Sequence, residues 1–168
     1  MGFIPEDRTT EGLIPAFSLT ENVVLGLGDE GPWVKGGRID WRAAEAQTAQ
    51  LIDDLQIAAT GPRMPASALS GGNQQKLIVA RELSRAPAVI VAENPTRGLD
   101  IRASRDIHDR LRSAAAAGAA VLFHSADLDE VLDLADRIVV VTRGVLTEAP
   151  PGLSRAQVGA MMLKHEAG

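Results

Sequence analysis

Leu69-Ser70-Gly71-Gly72-Asn73-Gln74-Gln75-Lys76 is the segment whose residue types and spacing are fit for chemistry. Ser70 is placed to cap a helix, and glycines at the next two positions leave the first amides uncovered. Such an end receives anions. Free N–H groups and the positive end of the helix dipole face a phosphate, and without side chains at Gly71 and Gly72 it approaches the backbone closely. The same octapeptide also fits a Ser-capped helix that merely follows a glycine turn, and on its own it leaves the two readings level. Nowhere do the 168 residues contain Gly-x-x-x-x-Gly-Lys-Ser/Thr, the nest and lysine that hold the β- and γ-phosphates of a nucleotide. The histidines form no cluster: His124 sits on a strand-length run, His108 on a solvated helix face and His165 in the tail.

The helix that follows Ser70 is expected to bury Val79, Ala80, Leu83 and Ala86. Upstream, Met1 to about Asn22 is turn-rich, with Phe3-Ile4-Pro5 reading as the end of a buried strand, and Leu19 to Val24 opens a short helix. Glycines from Gly28 to Gly37 predict a loop without regular structure. Asp40 caps a helix over Trp41 to Leu55, with Ala44, Thr48, Leu51 and Leu55 on one face. Beyond Pro87 the rhythm changes. Ala88–Ala92, Ala119–Phe123 and Ile138–Val141 are continuous apolar runs, the pattern of parallel strands buried on both faces. Helices marked by Ile107, Leu111, Ala114 and Ala115, and by Leu128, Val131, Leu132 and Ala135, separate them, giving the order β-α-β-α-β of an α/β fold. Arg143-Gly144 reverses the chain, and Ser154 with Gln157 has the capping-box spacing for a last helix toward Met162.

A net charge of −5 with scattered basic residues argues against nucleic acid as a partner. With no cysteine the fold has no disulfide or thiolate metal site, which suits a reducing cytoplasm. The longest apolar stretches are too short to span a bilayer, so membrane association is expected to be indirect.

Together these segments resemble ABC-transporter nucleotide-binding domains, in particular the carboxy-terminal domain of the tandem ATPases that serve simple-sugar and nucleoside importers. Leu69 to Gln74 match the signature sequence, Val89 to Asn94 the Walker B strand, and Gly98-Leu99-Asp100, after Pro95-Thr96-Arg97, the D-loop. Ile4-Pro5-Glu6-Asp7-Arg8 resembles the segment that replaces the Q-loop in that subfamily, with Glu6 at its centre. Asp127-Leu128-Asp129-Glu130 and Ala135-Asp136-Arg137-Ile138 match the region after the third strand. The likeness implies part of a P-loop NTPase core with parallel strands and a helical signature subdomain. It divides the chain into a Q-loop-like segment over 1–22, a helical subdomain over 23–86 and the carboxy-terminal part of the core over 87–168.

In that family two domains sandwich two ATP molecules, each held by the phosphate loop of one domain and the signature helix of the other. The resemblance thus implies ATP and Mg2+ in an assembled complex, a partner nucleotide-binding domain, and transmembrane permease subunits at the cytoplasmic face of the membrane. These would be met between Glu6-Asp7-Arg8 and the helices up to Leu55. It also suggests that the abrupt start at Met1 marks an amino-terminal truncation that omits the phosphate-loop half.

Departures from the pattern matter as much. Glu93 stands where the family usually has Asp; it reaches a magnesium ion through water with one methylene more. Asn94 occupies the position of the general base, and an amide cannot keep a proton near neutral pH, a loss of about two to four powers of ten in rate. Ala126 takes the place of the switch histidine, and strand alternation does not by itself turn His124 toward that role. Two other readings stand beside the transporter subunit: a non-enzymatic remnant of it, and a soluble ABC-type ATPase working on DNA or ribosomes, which the acidic charge and the importer-like Pro95-Thr96-Arg97-Gly98 oppose.

Overall fold

The computed structural model describes residues 1–25 and 31–163, and by contacts it falls into two compact units, Met1–Phe123 and the part from His124 onward. Gly28 of the expected glycine loop and His165 lie outside the described residues.

In the first unit, β1 (Gly2–Ile4) pairs in parallel with β4 (Val89–Glu93) in the register Gly2↔Ile90, Phe3↔Val91 and Ile4↔Ala92, and β5 (Ala120–His124) flanks β4 on its other side. Side-chain alternation sends Ile4, Ile90 and Ala92 to one face, where they are fully buried, and α3 (Gly71–Leu83) packs against β1. The opposite face carries Phe3, Val89 and Leu122, which are 40%, 41% and 66% exposed. The apolar runs were expected to be covered on both faces. Among the described residues of this unit only one face is, so β4 alternates between buried and more exposed positions and β5 between half-buried and exposed ones despite their apolar sequence.

Local caps place the helices. Ser18 and Glu21 form a reciprocal capping box at α1 (Leu19–Val24), which buries Leu19 and Val23. The Asp40 carboxylate accepts from the Ala43 amide at 3.1 Å and starts α2 (Trp41–Asp54), whose inner face holds Ala44, Thr48, Leu51 and Ile52 rather than Leu55. Asp100 does the same for α4 (Ile101–Ala116) through Ala103 at 2.8 Å, with Ile107 and Leu111 inside. Between α1 and α2 the expected structureless loop instead contains a short hairpin, β2 (Val34–Lys35) with β3 (Arg38–Ile39). Gly36 and Gly37 at φ 56° and 71° give the left-handed pair that a two-residue hairpin turn demands.

α3 is the centre of this unit. Leu77 through Glu82 are all buried, because α1, α4 and β1 contact the helix on different sides. Ala86, expected on its inner face, lies beyond its end, exposed at φ 45°. Arg81 and Glu82, 8% and 7% exposed, are compensated at short range: Arg81 Nε donates to Glu82 Oε1 at 2.8 Å and its Nη1 to the Gly12 carbonyl at 2.9 Å. Glu82 Oε2 accepts from the Phe3 amide at 3.2 Å, tying the helix to β1.

The second unit holds α5 (Leu128–Leu134), β6 (Ile138–Thr142), β7 (Val145–Ala149) and α6 (Arg155–Leu163). β6 was expected as a third buried parallel strand. It pairs antiparallel with β7 in a two-stranded sheet, and Val139 and Val141 are 49% and 64% exposed. Arg143 and Gly144, at φ 51° and 81°, make the expected reversal. The Ser154 amide donates to Gln157 Oε1 at 2.8 Å and the Gln157 amide to Ser154 Oγ at 3.4 Å, closing the capping box read from the sequence. Among the described residues no helix is long and apolar enough to cross a membrane.

Candidate functional site

The tip of α3 is built by three local bonds. Ala58's amide donates to Asn73 Oδ1 at 3.0 Å, Asn73 Nδ2 donates to Ser70 Oγ at 2.9 Å, and Gln74 Nε2 donates to the Ala66 carbonyl at 3.1 Å. Leu69, 6% exposed, anchors the approach. Ser70 holds the N-cap position with extended backbone, φ −65° and ψ 158°, yet its hydroxyl makes no capping bond. The expectation that Ser70 caps the helix is therefore corrected: the hydroxyl serves Asn73, and the first-turn amides receive no cap from Ser70. A tip left in this state presents N–H groups and the positive dipole end to whatever approaches.

Both glycines of the tip face other parts of the unit. A Cβ on Gly72 would lie 3.6 Å from Ala103 Cβ and 4.0 Å from Leu99 Cδ2, so the tip borders the Gly98-Leu99-Asp100 turn at the head of α4. A Cβ on Gly71 would lie 2.7 Å from Arg8 Nη2. Lys76 Nζ pairs with Asp106 at 2.6 Å one turn further along and holds α3 to α4.

Beyond β4 the chain turns twice, through Arg97 N to Asn94 O at 3.0 Å and Leu99 N to Thr96 O at 3.1 Å, with Gly98 at φ 71°. Asn94 is 8% exposed and sits at φ 42°, in the left-handed region that asparagine enters more readily than other non-glycine residues. Its Nδ2 donates to Glu6 Oε2 at 2.9 Å, and the other carboxylate oxygen of Glu6 is ion-paired with Arg97. Arg8 Nη1 donates to the Arg97 carbonyl at 3.2 Å. Glu6, Asp7, Arg8, Thr9, Glu11, Glu93, Arg97 and Gly98 line an open cleft of about 610 Å³. Asp7 is held well below the usual carboxylate range, chiefly by the hydroxyl bond from Thr9 at 2.7 Å, with Thr10 adding to it.

Among the described residues no group of three or more His, Cys, Asp or Glu side chains is arranged to hold a metal ion. What the cleft does offer is Glu93 on its wall, a hard-oxygen donor that suits a magnesium ion whose other ligands are phosphate and water, while both oxygens of Glu6 are taken by Asn94 and Arg97.

The structure thus brings Leu69, Ser70, Gly71, Gly72, Asn73, Gln74, Glu6, Glu93, Asn94, Gly98, Leu99 and Asp100 into one unit. Ala126 belongs to the second unit, exposed between Ser125, whose hydroxyl bonds the Glu130 carboxylate, and Asp127, whose Oδ1 accepts from the Asp129 amide at 2.9 Å. His124 ends β5 and is exposed. Sequence reasoning missed the links of Arg8 to Gly71 and of Glu6 to Asn94. The partners lie 63 and 88 positions apart, and no local spacing signals them.

No protein-family model matches the chain. Over 165 residues, 97% of the chain and 33% of the relative, it is 37% identical to the nucleoside import ATP-binding protein NupA of Lactococcus lactis subsp. cremoris. Over 150 residues, 87% of the chain and 28% of the relative, it is 44% identical to the ribose import ATP-binding protein RbsA 1 of Mesorhizobium japonicum. The chain therefore spans about a third of the length of these curated relatives. Among solved structures, a dimeric ATP-binding cassette in a post-hydrolysis state with ADP and Pi matches at a TM-score of 0.71 and 24% identity, over 88% of this chain and 61% of that one. An ATP-binding subunit of an ABC transporter matches at 0.75 and 19% identity, over 97% and 68%. At these identities the two structures establish the fold, that of the ABC ATPase cassettes.

Proposed function

We propose that this chain, homologous along nearly all its length to the ATP-binding proteins of sugar and nucleoside ABC importers, offers the α3 tip to the triphosphate of an ATP held by the phosphate loop of a partner nucleotide-binding domain. The observation that carries this reading is the uncapped helix start: Ser70 Oγ is turned to Asn73, so the first-turn amides carry no cap from it. The amides and the dipole end stabilise the charge on the terminal phosphate, and Ser70 Oγ lies at the same tip to donate to it. Magnesium, when bound, neutralises phosphate charge, and Glu93 on the cleft wall would hold it through water.

The chain's own base position is disabled. The Asn94 amide donates to Glu6 and has no basicity with which to take a proton from water, so a site relying on it turns ATP over slowly. The competent site is the one that Ser70 completes in the partner domain. Attachment to transmembrane permease subunits, through the Glu6-Asp7-Arg8 segment and the helices up to Leu55, would hold the assembly at the cytoplasmic face of the membrane, with a sugar or nucleoside as cargo.

The test is a chimera in which this chain replaces the matching segment of the Mesorhizobium ribose import protein. Turnover of ATP should be supported by the chimera and reduced at least a hundredfold, as an order of magnitude, by Ser70→Arg, which fills the phosphate position. Equal turnover in the two proteins would refute the assignment.

A further inference from the structure

The helices α1, α3 and α6 each start on a serine followed three residues later by Glu, Asn or Gln, and they differ in where the hydroxyl proton goes. At α1 the Ser18 hydroxyl donates to Glu21 Oε2 at 2.6 Å, and at α6 the Ser154 hydroxyl donates to Gln157 Oε1 at 3.0 Å. In both, Oγ also accepts from the backbone amide of that third residue, at 3.2 and 3.4 Å. At α3 the direction is reversed. Asn73 Nδ2 donates to Ser70 Oγ at 2.9 Å, and the hydroxyl caps no amide.

One main-chain group sets this direction. The Ala58 amide can only donate, and at 3.0 Å from Asn73 it requires Oδ1, which leaves Nδ2 for Ser70. A side-chain amide nitrogen can only donate in turn, so Ser70 Oγ accepts and its own hydrogen must point elsewhere. Among the described residues nothing accepts that hydrogen, and Ser70 is exposed. Ala58 is held in place by its neighbour: Ile57 is buried, and its amide donates to the Ile52 carbonyl of α2 at 2.9 Å.

Resting on the reading above, we propose that Asn73 is a positioning residue for the reaction. It accepts from Ala58, donates to Ser70 Oγ, and so turns the hydroxyl hydrogen outward as a donor for the terminal phosphate of the partner's ATP. A hydroxyl preset in this way needs no reorientation when charge develops on that phosphate. Asn73 acts through Ser70 rather than on the nucleotide.

Asn73→Asp is the discriminating variant. A carboxylate still accepts from Ala58 but can only accept from Ser70, so the hydroxyl hydrogen turns inward, as it does toward Glu21 at α1. The helix dipole favours the added charge in the first turn. Urea denaturation of the full chain should therefore place Asn73→Asp at or above the wild-type midpoint and Asn73→Ala below it, and an Asp variant weaker than the Ala variant would overturn the bond directions. In the chimera at saturating ATP, Ser70→Ala and Asn73→Asp should each lower kcat about tenfold, and Asn73→Ala less, since the hydroxyl is then merely free to rotate. In the Ser70→Ala background neither Asn73 variant should lower it further. Asn73→Asp at the parent rate beside a slow Ser70→Ala would overturn the role of Asn73 and leave that of the tip. A further loss in the Ser70→Ala background would mean that Asn73 acts by its own contact or charge, and would overturn the relay. Ser70→Ala at the parent rate would overturn it too, and the reading above falls with it only if Ser70→Arg keeps that rate as well.

Discussion

Asn94 donates its side-chain amide to Glu6 Oε2 at 2.9 Å, although the two residues are 88 positions apart. The sheet brings them together. Ile4 stands opposite Ala92 in the β1–β4 register, and Glu6 and Asn94 each follow two residues later, just past the strand ends. Asn94 thereby has a structural reason to be asparagine: it donates to a carboxylate and tolerates φ 42°. Asn94→Glu is expected to cost about 1–3 kcal/mol of stability, since it replaces the donor by a second carboxylate at a left-handed position. Urea denaturation of the purified chain measures it, and an unchanged midpoint would mean that the pair contributes nothing.

In the chimera with the ribose import protein, Asn94→Glu combined with Ala126→His should raise ATP turnover, by restoring a base and a switch histidine. Steady-state turnover at saturating ATP is the readout. A rate that stays at the parent level would show that this site is not limited by those two positions.

Arg81 and Glu82 give the sharpest stability test, because both are buried and each satisfies main-chain groups far away in sequence. Arg81→Met strands the Glu82 carboxylate and should cost about 3–5 kcal/mol, while Arg81→Met with Glu82→Leu should recover much of that loss. Chemical denaturation of the three proteins decides it. A double variant no better than Arg81→Met would mean that the cost lies in lost bonds to Gly12 and Phe3 rather than in stranded charge.

The helix starts at Ser18, Asp40 and Asp100 obey rules that operate over three residues; the Asp40 cap and the start of α3 at Ser70 were read from the sequence, and α1 was read from Leu19 without its cap. The tip's own chemistry was not, since nothing in Ser70-Gly71-Gly72-Asn73 shows that Asn73 rather than the backbone engages the serine hydroxyl. Apolar runs at Ala88–Ala92, Ala119–Phe123 and Ile138–Val141 announced strands correctly, but composition does not say how many faces are covered or which strand is the neighbour. The β2–β3 hairpin escaped notice because two-residue strands carry no periodicity, leaving Gly36-Gly37 as its sole local signal.

Asp7 should make the Arg8–Gly12 turn sensitive to acid. Its folded-state pKa is depressed, first by the Thr9 hydroxyl and then by Thr10, so its contribution is present above the ordinary aspartate value of about 3.9 and is lost as pH falls through the lower folded value. The stability gap between wild type and Asp7→Ala should be widest near neutral pH and narrow on acidification below about pH 4. Denaturation midpoints across that range are the measurement, and a gap independent of pH would show that the carboxylate is not held by the turn.

Phe3, Val89 and Leu122 present an apolar sheet face that the described elements of the first unit leave uncovered. Surfaces of this kind associate, since burying apolar area is favourable by about 25 cal/mol per Å² and an open strand row offers a template for pairing. The purified chain should therefore self-associate with increasing concentration, and Leu122→Glu should suppress this. Leu122 is 66% exposed, so the substitution removes little buried area and should leave the unfolding midpoint within about 0.5 kcal/mol of wild type. Sedimentation velocity over a concentration series separates the outcomes. A wild-type chain that stays monomeric throughout would show that this face is shielded in solution, and a variant that aggregates as before would place the sticky surface elsewhere.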